Sequence, residues 1–310
     1  MDINSETKRS STISNLPLLA SQIVEGFISG IHKSPFHGYS AEFAEHKLYN
    51  TGESTKHIDW KLFAKTDKLY TKKFEEETNL RCHFILDQSA SMYYPEVKSP
   101  SLSNLDKISF SALSIASIMQ LLSKQRDAAG LSIYDEELRF QTTEKGSSSH
   151  FSMIYDQLEK CIQHPQVNTK TNTYQFLHEV AEKLKRRSLV FLFTDLFQPD
   201  VSKADLFEAL RHLKYNKHQV VLFHTLDYKT EVDFDFDDAP KRFFDLESGS
   251  KIDLQTQQIK KEYVQKMSEF IQELKLTCAK YKIRYVQADI RKNFEKILST
   301  YLIETQKLKS

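Results

Sequence analysis

The chain has 310 residues, of which 40% are hydrophobic, 27% charged and 12% aromatic, which is ample material for a core and excludes a disordered chain. Lys plus Arg number 43 against 42 for Asp plus Glu, so a net charge of +1 supplies no global field to draw in nucleic acid or an anionic membrane. The start, Met1 to Glu6, lacks the basic and then apolar blocks of a secretory signal, and no run approaches the roughly 18 apolar residues of a membrane span. The expectation is a cytoplasmic protein without direct membrane insertion, long enough for one large domain or two smaller ones.

In chain order, the N-terminal quarter carries Gly38-Tyr39-Ser40-Ala41-Glu42-Phe43, then Lys47-Leu48-Tyr49-Asn50-Thr51-Gly52-Glu53, then His57-Ile58-Asp59-Trp60 and Ala64-Lys65. Trp60 is the only tryptophan and is expected as a core anchor, because large aromatics dominate packing energetics. Asp59 reads as a cap or as the partner of a nearby Lys, and His57 as structural, since no Ser or Cys nucleophile motif accompanies it. Thr71-Lys72-Lys73 reads as a solvated face.

Next comes the apolar run Cys82-His83-Phe84-Ile85-Leu86, which ends in Asp87-Gln88-Ser89-Ala90-Ser91. An apolar run of this length reads as a buried strand, and the loop leaving its carboxyl end is where open α/β sheets place ligands. Asp87, Ser89 and Ser91 put one carboxylate and two hydroxyls around one point, and such hard oxygen donors suit Mg2+ or another small hard cation. The competing reading has Asp87 capping a helix while the serines fill a turn.

Residues 105–124 follow as a buried crossover helix, with apolar Ile108, Leu113, Ile115, Ile118, Met119, Leu121 and Leu122 and with Asn104 as N-cap. Residues 128–134 and 138–141 read as strands around the turn Asp135-Glu136-Glu137, and 151–161 as a helix. A helix over 174–187 ends in basic residues that suit its dipole and also form a solvated face from Lys183 to Arg187. Residues 188–193 form an apolar strand ending at Thr194-Asp195. Helix 201–215, strand 219–225, helix 257–280, strand 283–288 and helix 290–306 complete the alternation. Between them the acidic run Glu231 to Asp238 lacks the Gly turn and spacing of a calcium loop, and reads as an edge strand with charged outer positions. Cys82, Cys161 and Cys278 are far apart and odd in number, so they are read as buried free thiols, neither a disulfide framework nor a zinc set.

Alternation of this kind implies an α/β fold with a mostly parallel sheet and helices on both faces. If the strands ending at Asp87 and Asp195 are neighbours, both carboxylates reach one crevice, and Thr171-Asn172-Thr173, just before a helix, brings a hydroxyl to the same edge. Together Asp87, Ser89, Ser91, Thr171 and Asp195 resemble the metal-ion-dependent adhesion site of von Willebrand factor A domains. That resemblance implies a Rossmann-like A-type fold, Mg2+ or another divalent cation such as Mn2+ or Ca2+, and direct or near-direct ligation by Ser89, Ser91 and Thr171. It also implies that Asp87 and Asp195 often act through water, and that one coordination position is left for a partner's Asp or Glu.

The N-terminal blocks, with Asp227, the segment Arg242-Phe243-Phe244-Asp245-Leu246-Glu247-Ser248-Gly249 and the final helix, strand and helix, resemble the bacterial domain of unknown function 58 family over nearly the whole chain. Lys47, Lys56 and Lys65 stand where that family usually has Arg, and Glu53-Ser54 replaces a more typical acidic pair, which weakens any bidentate arginine role. The resemblance implies a family-specific segment at 1–79 preceding an A-type domain at 80–310. It further implies a non-enzymatic protein-binding module that works with a MoxR-type AAA+ ATPase and a client protein. No segment interleaves aromatic with basic residues as a nucleic-acid groove would, so no nucleic-acid partner is expected. The alternative is a Mg2+-dependent hydrolase acting on phosphoesters, with the metal polarising phosphoryl oxygens. Against it, Ser89 stands where an aspartyl-nucleophile phosphatase would want a second acid, and no motif positions a general base.

Overall fold

The computed structural model describes Ile13 and residues 15–30, 45–48, 60–73, 80–165, 171, 173–197, 202–215, 217–237, 239–246, 249–292 and 294–309. Two units are present, one formed by Met1–Gly30 with Leu80–Ser310 and the other by Ile31–Asn79.

In the smaller unit, β1 (Glu45–Leu48) pairs antiparallel with β2 (Tyr70–Lys73), and the short helix α2 (Trp60–Thr66) lies between them in sequence. Trp60 is 61% exposed and meets Phe63 edge-on, so the expectation of a core anchor is corrected. The reason is local, because a seven-residue helix that buries none of its residues has no core to anchor. The readings of residues 38–43, 49–53, Ser54, Lys56, His57 and Asp59 fall outside the described residues, as do the side chains of Lys47, Thr71, Lys72 and Lys73.

The larger unit opens with α1 (Leu16–Gly30), where Leu16, Leu19, Ala20, Val24 and Phe27 are buried at the spacing of one helical stripe. Asn15 caps it by accepting from the Leu18 N–H, and Leu16 N–H donates to Glu159.

The remaining strands are β3 (Arg81–Asp87), β4 (Ala128–Tyr134), β5 (Leu138–Gln141), β6 (Leu189–Thr194), β7 (Gln219–Leu226), β8 (Lys241–Phe244), β9 (Lys251–Leu254) and β10 (Arg284–Asp289). The helices are α3 (Lys107–Lys124), α4 (Ser148–Gln163), α5 (Thr173–Lys183), α6 (Lys203–Tyr215), α7 (Thr256–Lys280) and α8 (Glu295–Lys309). Six strands form one sheet in the order β10-β7-β6-β3-β4-β5, parallel throughout except for β5, which closes one edge antiparallel with a register shift at Ile133/Tyr134. Strands β8 and β9 form a separate antiparallel pair.

Side chains alternate across the sheet and give it two apolar faces. Ile85, Val190, Leu192, Val220 and Leu222 pack under α5, α6 and α7. On the opposite face Phe84 stacks on Phe191, Phe193 stacks on Phe223, and Phe191 meets Tyr301 of α8. Helix α3 lies on that second face beside α8, with α1 packed against it. The expected mixed fold with a mostly parallel sheet and helices on both faces is therefore present, and Cys82, Cys161 and Cys278 are buried free thiols.

Several expected boundaries move for identifiable reasons. Asp106, and not Asn104, caps α3, because its carboxylate accepts the Ser109 N–H at 2.8 Å. The stretch Glu231 to Asp238 is no edge strand: Tyr228–Val232 forms a single π-helical turn, and residues 233–237 carry no strand. Phe234 breaks the apparent alternation with a left-handed φ of 48°, which lets its buried ring pack on Tyr263 of α7. Asp238 falls outside the described residues.

One polar tie crosses the sheet. His83 Nε2 lies 2.8 Å from Ser132 Oγ and Nδ1 lies 2.8 Å from Glu144 Oε1, joining β3, β4 and the chain after β5. The order of groups matches a nucleophile, base and acid, but all three are sealed from solvent, so their role is structural pairing of buried polar atoms. Gly130 makes room for it, since a Cβ there would stand 2.8 Å from His83 Nδ1.

Candidate metal centre

The crevice beside β3 is where the sheet order reverses, since the chain leaves β3 for β4 on one side and later fills β6 on the other. Asp87 ends β3 at that crevice and is fully buried. Its carboxylate accepts from four directions: Thr194 Oγ1 at 2.7 Å from the end of β6, Ser89 N–H at 3.0 Å, Thr171 Oγ1 at 3.3 and 3.4 Å, and Tyr134 Oη at 3.4 Å. The bond from Ser89 N–H is the local turn that Asp chemistry favours. The other three come from β4, β6 and the chain before α5, so the loop is more than a turn.

A single 3₁₀ turn over Ala90–Tyr93, closed by Met92 N–H onto Ser89 O, sets Ser89 Oγ and Ser91 Oγ 3.1 Å apart. Oxygen ligands around Mg2+ sit at about 2.1 Å in an octahedron, so adjacent ligands are about 3 Å from each other. The serine pair already has that edge length, and Thr171 is a few tenths of an ångström outside it relative to Asp87. Thr171 Oγ1 is also 3.3 Å from Thr173 Oγ1, the first residue of α5, which in turn lies 3.0 Å from Tyr134 Oη. The donor set is all oxygen, and it fits a small hard cation held by Asp87, Ser89, Ser91 and Thr171. Asn172, between the two threonines, falls outside the described residues.

Asp195 follows β6 and is buried beside this cluster. Its presence is felt electrostatically: burial, and then the Asp195 charge, raise Asp87 from 3.8 to about 6. Asp195 itself is turned toward Lys107, whose Nζ lies 2.6 Å from Oδ2, while Oδ1 accepts from Phe197 N–H at 3.2 Å. The Asp195 carbonyl is held by His224 Nε2 at 2.9 Å, and His224 Nδ1 meets Tyr285 Oη at 2.8 Å. Burial pushes His224 down to about 4, so it is neutral at physiological pH, and the tautomer with its proton on Nε2 satisfies both bonds.

Two members of the centre escaped the sequence reading. Lys107, the first residue of α3, is fully buried, and its ammonium also lies 2.6 Å from Glu231 Oε1 and over the rings of Phe197 and Tyr94. Burial would lower its pKa, but Asp195 and Glu231 outweigh that and raise it. Burial raises Glu231 in turn, against the lowering by Lys107. Glu231 sits on the π-helical turn with its second oxygen on Asp227 N–H at 2.7 Å. That turn is latched by the Arg291–Asp227 pair, at 2.5 and 2.7 Å, and by Tyr94 Oη donating to Thr230. The available signal for Lys107 was compositional: it and Lys124 are the only charged residues in α3. Among the described residues no group of three or more His, Cys, Asp or Glu side chains is disposed to hold a metal; the oxygens gathered here are one carboxylate and three hydroxyls.

Among solved structures, BatB from Bacteroides thetaiotaomicron is 13% identical with a TM-score of 0.42, covering 74% of this chain and 99% of its own. An aerotolerance-related membrane protein from Bacteroides fragilis NCTC 9343 is 16% identical with a TM-score of 0.40, covering 74% and 98%. The PilB minor pilin from Streptococcus sanguinis is 9% identical with a TM-score of 0.41, covering 78% and 64%. No described helix is long and apolar enough to cross a membrane. No curated protein matches the sequence. Residues 45–271, well over half of the chain, match the family described as protein of unknown function DUF58, and the chain belongs to that family.

Proposed function

We propose that this chain is a von Willebrand factor A-like binding module that holds Mg2+, or another divalent cation such as Mn2+ or Ca2+, on Asp87, Ser89, Ser91, Thr171 and Asp195. The observation that carries the reading is the convergence of the Asp87, Ser89, Ser91 and Thr171 oxygens at the reversal point of the sheet, with the serine hydroxyls already at octahedral spacing. The cation would supply a Lewis-acidic position that a partner's Asp or Glu completes. Ser89, Ser91 and Thr171 donate neutral oxygens, which leaves the cation enough positive charge to attract that carboxylate. The role is non-enzymatic: the carboxyl ends of the strands present the site, and the partner contributes the missing ligand.

The partner we propose is a MoxR-type AAA+ ATPase acting on a client protein in the cytoplasm, a reading that rests on the family resemblance of the N-terminal blocks and not on the geometry. A pull-down from the native cell, with and without Mg2+, tests both parts. Wild type should retain an AAA+ ATPase only with Mg2+ and Asp195→Ala should lose it. Retention by Asp195→Ala, or retention indifferent to Mg2+, would sink the metal-mediated grip.

A further inference from the structure

Lys107 is badly placed for a lysine on two counts. It is fully buried, and it occupies the first turn of α3, where the helix dipole disfavours a cation. Helix formation does not explain it, but the surrounding carboxylates do. Asp195 and Glu231 each bring one oxygen to 2.6 Å from its ammonium, and both are themselves almost sealed from water. Without a cation here, Asp87, Asp195 and Glu231 would crowd three acidic groups into one buried region.

We propose that Lys107 is a tethered counter-cation that takes the place of the divalent ion at Asp195 in the metal-free chain, so that metal and ammonium compete for one carboxylate. The proposal rests on the metal-site reading above. The two partners have different jobs. Asp195 Oδ1 is fixed by Phe197 N–H, which leaves Oδ2 as the oxygen to be shared. Glu231 is anchored through its second oxygen to Asp227 N–H, and the Arg291–Asp227 pair holds that turn. Glu231 therefore stays in place as the second home of the ammonium, and Lys107 can release Asp195 without becoming an unpaired buried charge. Lys107 is thus a positioning residue that sets how tightly the centre holds its ion and keeps the fold intact when the ion is absent.

The experiment compares full-length wild type with Lys107→Met, stripped of metal by chelation and then titrated with MgCl2, reading thermal stability and calorimetric affinity. Without metal, Lys107→Met should melt about 10 °C lower, as expected for one side of a broken buried ion pair, and saturating Mg2+ should restore most of that loss. Its Mg2+ affinity should exceed that of wild type by about tenfold, and this gain should vanish in an Asp195→Asn background. If wild type binds Mg2+ but Lys107→Met gains neither affinity nor rescue, the proposal is overturned while the metal site stands. An equal gain in the Asp195→Asn background would also overturn it, by showing a diffuse field effect. Failure of wild type to bind Mg2+ overturns both readings. Should Lys107→Met not fold, Glu231→Gln provides the opposite sign: the ammonium then rests on Asp195 alone, Mg2+ affinity should fall severalfold, and unchanged affinity refutes the competition.

Discussion

Asp87→Asn should make the metal-free protein more stable at neutral pH while abolishing its response to metal. The carboxylate is fully buried, and burial together with Asp195 lifts it from 3.8 to about 6. A group that holds its proton more tightly in the folded state than in the unfolded one favours folding at low pH and loses that advantage as pH rises. The folded chain binds the extra proton between about 4 and 6, so stability falls across that window and is flat above it. The integrated cost at pH 7 is about 3 kcal/mol. Asn keeps the shape, its Oδ1 can still accept the Ser89 N–H, and its amide can donate to the Thr194 hydroxyl, so little else is lost. For a chain of this size the gain corresponds to a melting temperature about 6 °C higher. The assay is thermal unfolding of both proteins in chelator from pH 4 to pH 8, read as the difference between them. That difference should be close to zero at pH 4, open through pH 6 and then hold constant. Added Mg2+ should raise wild type only. An Asp87→Asn protein that melts below wild type across the whole range would refute the view that hydrogen bonding to the apo carboxylate falls short of offsetting its burial.

Thr171→Ala should leave the metal-free melting temperature within about 1 °C of wild type, since its bonds to Asp87 are long, but weaken Mg2+ binding at least tenfold by calorimetry, with Thr171→Ser restoring most of it. Gly130→Ala should cost about 1–3 kcal/mol in chemical denaturation, because the new methyl meets the His83 ring and the Glu144 backbone; a neutral result would mean that the His83–Ser132 tie yields easily. Cys161 and Cys278 are pushed up to about 12 by burial, so a thiol reagent at pH 8 should label no cysteine of the native protein and all three after denaturation.

The parts of the fold that depend on one-dimensional patterning were legible in the sequence. The apolar runs ending at Asp87 and at Thr194-Asp195 are central strands because they are buried on both faces, and such strands read as continuous hydrophobic runs. The cluster of Asp87, Ser89, Ser91 and Thr171 was legible for the same reason, since strand ends and helix starts fix which residues share an edge. What escaped depends on pairing across long separations. Lys107 and Glu231 are 124 residues apart, and nothing in either segment alone pairs them. The alternation Val232, Phe234, Phe236 imitates a strand, and only the packing of Phe234 on α7 shows that the backbone turns back there. Trp60 misled in the opposite direction, because a large aromatic signals a core only when its own helix has one to join.

The antiparallel strand that closes the sheet at β5 limits how anything else can attach. An open sheet edge invites a further strand from another chain, through backbone pairing that reads little of the partner's side-chain chemistry. Here one edge is a four-residue strand with a register shift and an Arg139–Asp135 ion pair, and the other is the six-residue β10 carrying Arg284, Gln287 and Asp289. The charges on both edges disfavour strand addition, which fits the proposed function, in which a partner is met at the carboxyl ends of the strands. On the function proposed above, a visitor there would have to match a few oxygens in space, and selectivity would follow coordination geometry and not backbone length.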